Sequence, residues 1–193
     1  NAAWQARGYP PVRIGVNLSA QQFYRGDIVR TVKEALNESG LAPQWLELEL
    51  TESLTLDDTE ATLRIMRELK ALGVMLSLDD FGTGWSSLGY LSRFPLDRIK
   101  IDRSFVRDLI NDSSTAAIVN SILDLARQLN LDCVAEGVET AAQLEHLRLN
   151  RCPGIQGFYF SQGVEMNHVP ALLNSNAIHN APVNKFLPQQ MCA

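Results

Sequence analysis

The 193-residue chain has little of what would mark it for an oxidising compartment, for a soft-metal centre or for nucleic acid. Its cysteines are three, Cys133, Cys152 and Cys192, an odd number without metal-ligand spacing, which leaves neither a disulfide framework nor a thiolate cage and reads as cytosolic thiols. Its three histidines, His146, His168 and His179, are scattered, which argues against a centre built from converging imidazoles. Positive charge is in deficit: 17 basic residues against 22 acidic ones give a net charge of −5, which disfavours loose electrostatic binding to DNA and leaves room for a small anion held through a metal ion. No apolar run is long enough to cross a bilayer and the start carries no signal-peptide pattern, so the expected setting is cytoplasmic, without membrane contact.

What is present is an alternation. Apolar runs of strand character are expected at Val12–Leu18, Trp45–Leu50, Val74–Leu78, Arg98–Ile101, Asp132–Ala135 and Ile155–Phe160. Helical faces lie between them. Ile28, Val32, Ala35 and Leu36 form one, stopped at Gly40; Ile65, Leu69 and Leu72 precede Gly73; Ile118, Ile122, Leu125 and Leu129 form a third. Thr140 and Gln143 have capping-box spacing ahead of Leu144 and Leu147, and a short helix is expected over Ser87–Ser92. The opening residues to Gly8 read as the last turns of a helix. Strand-helix units of roughly 20–35 residues imply parallel strands joined by helices, as an open doubly wound sheet or a closed barrel.

The strand ends choose between the two. Asn17 closes the first strand, Glu49 with Glu52 the second, Asp79 and Asp80 the third, Lys100 with Asp102 the fourth and Glu136 with Glu139 the fifth, while Gln156 lies in the sixth. Polar groups at the carboxyl ends of many strands are the pattern of a barrel active site. An open sheet usually carries a glycine-rich phosphate turn after its first strand, and none follows Asn17. A barrel needs about eight strands. Six are visible, so the chain is expected to lack about two units at its front.

If these ends converge, Asn17, Glu49, Asp79, Asp80 and Glu136 make a hard oxygen cage with Lys100 nearby, suited to Mg²⁺ or Mn²⁺ and able to accept Ca²⁺. The adjacent Asp79 and Asp80 repel unless cations or solvent separate them, and so many acids favour two ions over one. Such a pair clamps the oxygens of a phosphate ester. Lys100 is then a candidate to hold a phosphate oxygen or orient water, and Glu136 to take the proton of that water. The plain alternative is that each group salt-bridges a neighbour.

The motifs also fall in a known order: Val16-Asn17-Leu18-Ser19-Ala20, Glu49-Leu50-Thr51-Glu52-Ser53, Asp79-Asp80-Phe81-Gly82-Thr83-Gly84-Trp85-Ser86-Ser87-Leu88, Lys100-Ile101-Asp102-Arg103-Ser104-Phe105, Ala135-Glu136-Gly137-Val138-Glu139-Thr140 and Gln156-Gly157-Phe158-Tyr159-Phe160. From about Val12 to Phe160 the chain resembles the EAL domain, the bacterial phosphodiesterase that opens cyclic di-GMP to linear pGpG in second-messenger signalling. The resemblance implies an α/β fold, a TIM-like (β/α)8 barrel, N-terminally incomplete here, with the domain over residues 1–173 and a polar tail over 174–193. It implies Mg²⁺ or Mn²⁺ dependence with two ions, Ca²⁺ occupying the site without supporting turnover. Asn17, Glu49 and Asp79 would be ligands of the first metal, Asp79 and Asp80 would help hold the second, Lys100 would contact the metal-bound water or the phosphate, and Glu136 would be the catalytic base or a metal-side acid. Glu52 and Glu139 would steady the glycine loop, and Gln156 would lie at the rim. A homodimer, and upstream sensor or diguanylate cyclase (GGDEF) domains, are the partners implied.

The chain departs from the family pattern in places. The Glu-Ala-Leu motif, whose glutamate is a metal ligand, belongs to the front that the chain is expected to lack. Trp85 stands where tyrosine is more usual, and no proline follows Ser161 within Gln162-Gly163-Val164-Glu165. The alternative function is a catalytically inactive EAL-like module that binds cyclic di-GMP or a protein partner.

Overall fold

The computed structural model describes residues 1–52, 59–84 and 91–174. The chain runs α1 (Ala2–Ala6), β1 (Ile14–Leu18), α2 (Ala20–Arg25), α3 (Ile28–Ser39), a 3-10 turn (Pro43–Trp45), β2 (Leu46–Thr51), α4 (Thr59–Ala71), β3 (Met75–Phe81), β4 (Arg98–Ile101), α5 (Arg103–Asp108), α6 (Ser113–Gln128), β5 (Asp132–Ala135), α7 (Ala141–Leu149), β6 (Gly154–Ile155) and α8 (Val169–Leu173). All six strands are parallel and lie side by side in chain order. An open doubly wound sheet reverses its order at a switch point; an unbroken order keeps every right-handed crossover on one face, which is the arc of a TIM-like barrel.

The two faces of this arc differ as the alternation of side chains requires. Leu48, Leu50, Leu76, Leu78, Ile99, Ile101, Cys133 and Ala135 face outward and pack with Leu63, Met66 and Leu69 of α4, Val106 of α5, Val119, Ile122, Leu123 and Ala126 of α6, and Leu144 and Leu147 of α7. Each such large apolar side chain contributes about 1.5–3 kcal/mol when fully buried. The inner face is polar. Near the amino ends of the strands Glu47 pairs with Arg98 at 2.5 Å, Arg98 reaches Asp132 at 3.3 Å, and Arg13 lies 3.8 Å from Glu47. Two residues further along β2 and β4 come Glu49 and Lys100, so a second charged layer sits above the first.

The helix signals act where expected. Gly40 ends α3 at φ +67°, and the Thr140–Gln143 capping box opens α7. Several boundaries and faces differ. The first three strands begin one or two residues later than expected, with Trp45 in the 3-10 turn. The buried face of α6 is Val119, Ile122, Leu123 and Ala126, whereas Ile118 is 44% exposed: apolar residues occupy two overlapping registers there, and packing against β4 and β5 selects one. The last strand, expected over Ile155–Phe160, is only Gly154–Ile155. Beyond it the carbonyl of Gln156 accepts from Val138 N and the chain turns, with Phe160 N bonded to Gly157 O. The helix expected over Ser87–Ser92 falls largely on residues 85–90, and the tail beyond 174 likewise lies outside the described residues.

Candidate active site

β3 does not stop before its acids, as expected, but carries them within the strand. Between the pairs Leu78–Ile99 and Phe81–Ile101, β3 spends three residues where β4 spends two, which is a β-bulge. The extra residue falls at Asp80, whose φ is +53°, a left-handed conformation that aspartate tolerates better than most residues. In a regular strand Asp79 and Asp80 would point to opposite faces. With the bulge, the carboxylates of Asp79 and Asp80 come together with that of Glu136, one oxygen of each within 4.8 Å of the others.

Lys100 is the hub. The residue is 6% exposed, and its ammonium lies 2.8 Å from Glu49, 2.9 Å from Asp79 and 2.7 Å from Glu136. Burial works against its charge, but the close carboxylates of Glu136, Glu49 and Asp79 outweigh that and hold its pKa above the ordinary lysine value. Burial pushes the Glu136 carboxyl up, opposed by Lys100. Gln156 also donates to Glu136 Oε1 at 2.8 Å, the same oxygen that Lys100 approaches. The Asp80 carboxyl is raised by burial and by the charges of Asp79 and Asp102. Asp102 is lowered: its burial is outweighed by hydrogen bonds from Ser104, which it also caps at the start of α5. The two carboxyls act on each other, Asp102 helping to raise Asp80.

Three carboxylates thus contact one ammonium, with Asp80 beside them. Asp79 Oδ1, though 2.9 Å from Lys100, is buried without a well-directed donor. An acceptor-only oxygen left in this way, among hard oxygen donors, fits a divalent cation. Asn17 stands beside Glu49 in the β1–β2 register on an exposed stretch of β1. Glu52 accepts from the amides of Gly82 and Gly84, both at 3.2 Å, and so touches the glycine loop. Glu139, exposed ahead of α7, lines with Thr83 of that loop a hollow beside Asp80.

Asp102, expected only as a strand end, stands beside Asp80 and so joins the acidic cluster. One contribution escaped the reading of the sequence. Gly15, in the middle of β1, leaves room for Glu49: a Cβ at position 15 would lie 2.2 Å from Glu49 Oε1. A glycine inside a strand is the signal that could have found it.

The sequence model of the EAL domain matches residues 1–163. The chain belongs to the EAL domain family. It is 50% identical over 155 residues to the bifunctional diguanylate cyclase/cyclic di-GMP phosphodiesterase MucR of Pseudomonas aeruginosa, an alignment covering 80% of this chain and 23% of MucR. It therefore spans about a quarter of that relative's length. Its fold matches the structure of the MucR phosphodiesterase in complex with c-di-GMP with a TM-score of 0.83 at 46% identity, covering 87% of this chain and 68% of that one. A manganese/cy-diGMP complex of Klebsiella pneumoniae BlrP1 matches with a TM-score of 0.75 at 31% identity, covering 83% and 41%.

The tripeptide Glu-Ala-Leu does occur, at Glu34-Ala35-Leu36, but behind β1, so it is not the metal-ligand motif expected ahead of that strand. It is no part of the acidic ring. It lies on α3, and Glu34 pairs with Arg30 at 3.2 Å on the exposed face of that helix.

Proposed function

We propose that this chain provides the catalytic barrel of a metal-dependent phosphodiesterase that hydrolyses cyclic di-GMP to linear pGpG. The observation that carries this reading is the cluster of Glu49, Asp79 and Glu136 around Lys100, with Asp80 beside Asp79 and Glu136. The EAL family, with MucR named a cyclic di-GMP phosphodiesterase, supplies the substrate.

Asn17, Glu49 and Asp79 would hold one Mg²⁺ or Mn²⁺, and Asp79 and Asp80, with Glu136 beside them, a second. When bound, such ions draw charge from phosphate oxygens and lower the pKa of water. The chain's own groups do the rest. Lys100, kept protonated by its carboxylates, donates to a phosphate oxygen and offsets the charge that builds during attack. The Glu136 carboxylate accepts the proton of the attacking water, whose oxygen forms a new bond to phosphorus as the bond to the ribose 3′-oxygen breaks and that oxygen takes a proton from solvent water. Gln156, bonded to Oε1, fixes the orientation of that carboxylate. Glu52 holds the Gly82 and Gly84 amides and thereby the loop beside Asp80.

Incubation of the full-length protein with cyclic di-GMP and Mg²⁺ or Mn²⁺, with products separated by chromatography, tests the reading. Accumulation of pGpG is expected. Unchanged cyclic di-GMP in a folded sample would refute it.

A further inference from the structure

Two buried nucleophiles take no part in hydrolysis. Cys133 on β5 and Cys152, in the turn ahead of β6, are both free thiols inside the apolar core. They meet at Gly154. The register sets Val134 of β5 beside Gly154 of β6, and the Cys152 thiol donates to the Gly154 carbonyl at 3.0 Å. A Cβ at position 154 would lie 3.1 Å from the Cys133 carbonyl oxygen and 2.6 Å from Val134 Cγ2, so glycine is what lets β6 approach β5 this closely. The two thiols act on each other: Cys152 and burial push the Cys133 thiol up, while Cys133 holds Cys152 below its ordinary value.

Adjacent parallel strands lie about 4.8 Å apart, within the span of about 4.4–6.8 Å between Cα atoms that a disulfide bridges. In reducing compartments such bonds are transient and serve redox sensing. Oxidation of this pair has a path to the reaction. It removes the S–H that donates to Gly154 O, at the first residue of β6, and pulls the turn ahead of β6 toward β5. β6 is two residues long. Gln156 follows it and donates to Glu136 Oε1 at 2.8 Å, and Glu136 follows β5. A shift of β6 against β5 therefore moves Gln156 against the carboxylate that it orients.

We propose that Cys133 and Cys152 form a reversible disulfide that lowers the hydrolytic rate, with hydrogen peroxide as the oxidant. The Cys152 thiolate attacks one peroxide oxygen, the O–O bond breaks, and the departing hydroxide takes up the proton that Cys152 released, leaving a sulfenic acid and one water. The Cys133 sulfur then attacks the Cys152 sulfur. The S–S bond forms as the S–O bond breaks, and the second hydroxide leaves as water with the Cys133 proton. Two thiols lose two electrons in all, and one peroxide becomes two waters. Cys152 reacts first because it adjoins the exposed Arg151 in a surface turn, whereas Cys133 lies within a strand. A dithiol reverses the step by exchange. The bond itself stands apart from the phosphodiesterase reading; its effect on the rate rests on that reading.

The test treats the full-length protein with hydrogen peroxide, alkylates the remaining thiols and reads the digested peptides by mass spectrometry, beside the initial rate of pGpG formation. A linked Cys133–Cys152 peptide, lighter by two hydrogen atoms than the reduced pair, is expected. The rate should fall about tenfold or more, as displacement of an orienting group does, and dithiothreitol should restore it. Cys133→Ala, and Cys152→Ser with its hydroxyl donor to Gly154 O, are expected to keep the reduced rate and lose the response to peroxide. Thermal melts followed by circular dichroism check that both variants are folded. Three results would overturn the switch while leaving the hydrolase intact: both cysteines alkylated after peroxide, a linked protein that turns over at the reduced rate, or a fall in rate that the two variants share. A reduced wild type that forms no pGpG would overturn the hydrolase reading and with it the effect on rate, while the linked peptide still decides the disulfide.

Discussion

Replacing Lys100 by methionine tests how the carboxylate ring is held together. Lys100 is almost fully buried, and its ammonium touches three carboxylates at 2.7–2.9 Å. Methionine fills a similar volume without charge. The variant then leaves Glu49, Asp79 and Glu136 facing one another with no cation between them. Removing one partner of a buried ion pair costs about 3–5 kcal/mol, much of it from the charge left uncompensated. The metal-free variant should lose about that much stability in urea unfolding at pH 7.5 with EDTA. The site lacks positive charge, and a divalent ion is expected to supply it. Mg²⁺ at 100 times its dissociation constant adds about 2.7 kcal/mol to any protein that binds it only when folded. In the variant the ion meets more uncompensated carboxylate and no neighbouring ammonium, so it should bind at least about tenfold tighter and restore a larger share of stability than it adds to the wild type. Hydrolysis should nevertheless be lost, because the ion does not replace the donor to phosphate. Equal Mg²⁺ stabilisation of the two proteins, or an unchanged midpoint in EDTA, would refute the reasoning.

Other consequences follow from single contacts. Gly15→Ala places a methyl 2.2 Å from Glu49 Oε1 and must displace that carboxylate; turnover should fall about tenfold or more, equivalent to about 1.4 kcal/mol, while the melting temperature moves little, as steady-state kinetics and a thermal melt would show. Glu52→Gln weakens the charge-assisted bonds to the amides of Gly82 and Gly84, by about 1.5–3 kcal/mol in total, so hydrogen exchange at these two amides should accelerate along with a loss of activity. Asp112 caps α6, and its carboxyl is held below the ordinary value of 3.8 by hydrogen bonds from Thr115 and Ser114. A depressed folded-state pKa gives stability that is complete above the unfolded value and lost as pH falls through the folded one. The melting-temperature gap between wild type and Asp112→Ala should therefore be constant above about pH 5 and close as the pH drops below 4.

Much of the fold could be read from the residues, for a physical reason. Parallel strands covered by helices must alternate with them, and each apolar strand in this chain is short, β-rich and followed by a polar end. Glycine and the Thr140–Gln143 box act locally, so they mark helix ends without tertiary information. The same holds for Lys100, Asp79 and Glu136, which converge because strands in chain order bring their carboxyl ends together. The rest depended on contacts between segments distant in sequence. Nothing in Leu78-Asp79-Asp80-Phe81 alone announces the bulge, which exists only relative to β4. The shortness of β6 follows from the bond between Gln156 and Val138, and the choice of face on α6 from what it packs against. The lower charged layer of Arg13, Glu47, Arg98 and Asp132 was passed over. Its signal was present, since charges alternate with apolar residues in Leu46-Glu47-Leu48-Glu49-Leu50 and in Arg98-Ile99-Lys100-Ile101, the mark of a sheet whose inner face is polar.

The central claim is that the Asp79–Asp80–Glu136 cluster holds the cation on which phosphodiester hydrolysis depends. The most direct measurement is the initial rate of pGpG formation from cyclic di-GMP across a Mg²⁺ titration, for the full-length wild type and for Asp80→Asn. The account predicts no product in EDTA, a rate that rises and saturates with Mg²⁺ in the wild type, and a loss of at least about a hundredfold, roughly 2.7 kcal/mol, in Asp80→Asn. Product formed at the same rate in EDTA, or an Asp80→Asn protein with wild-type turnover, would contradict it.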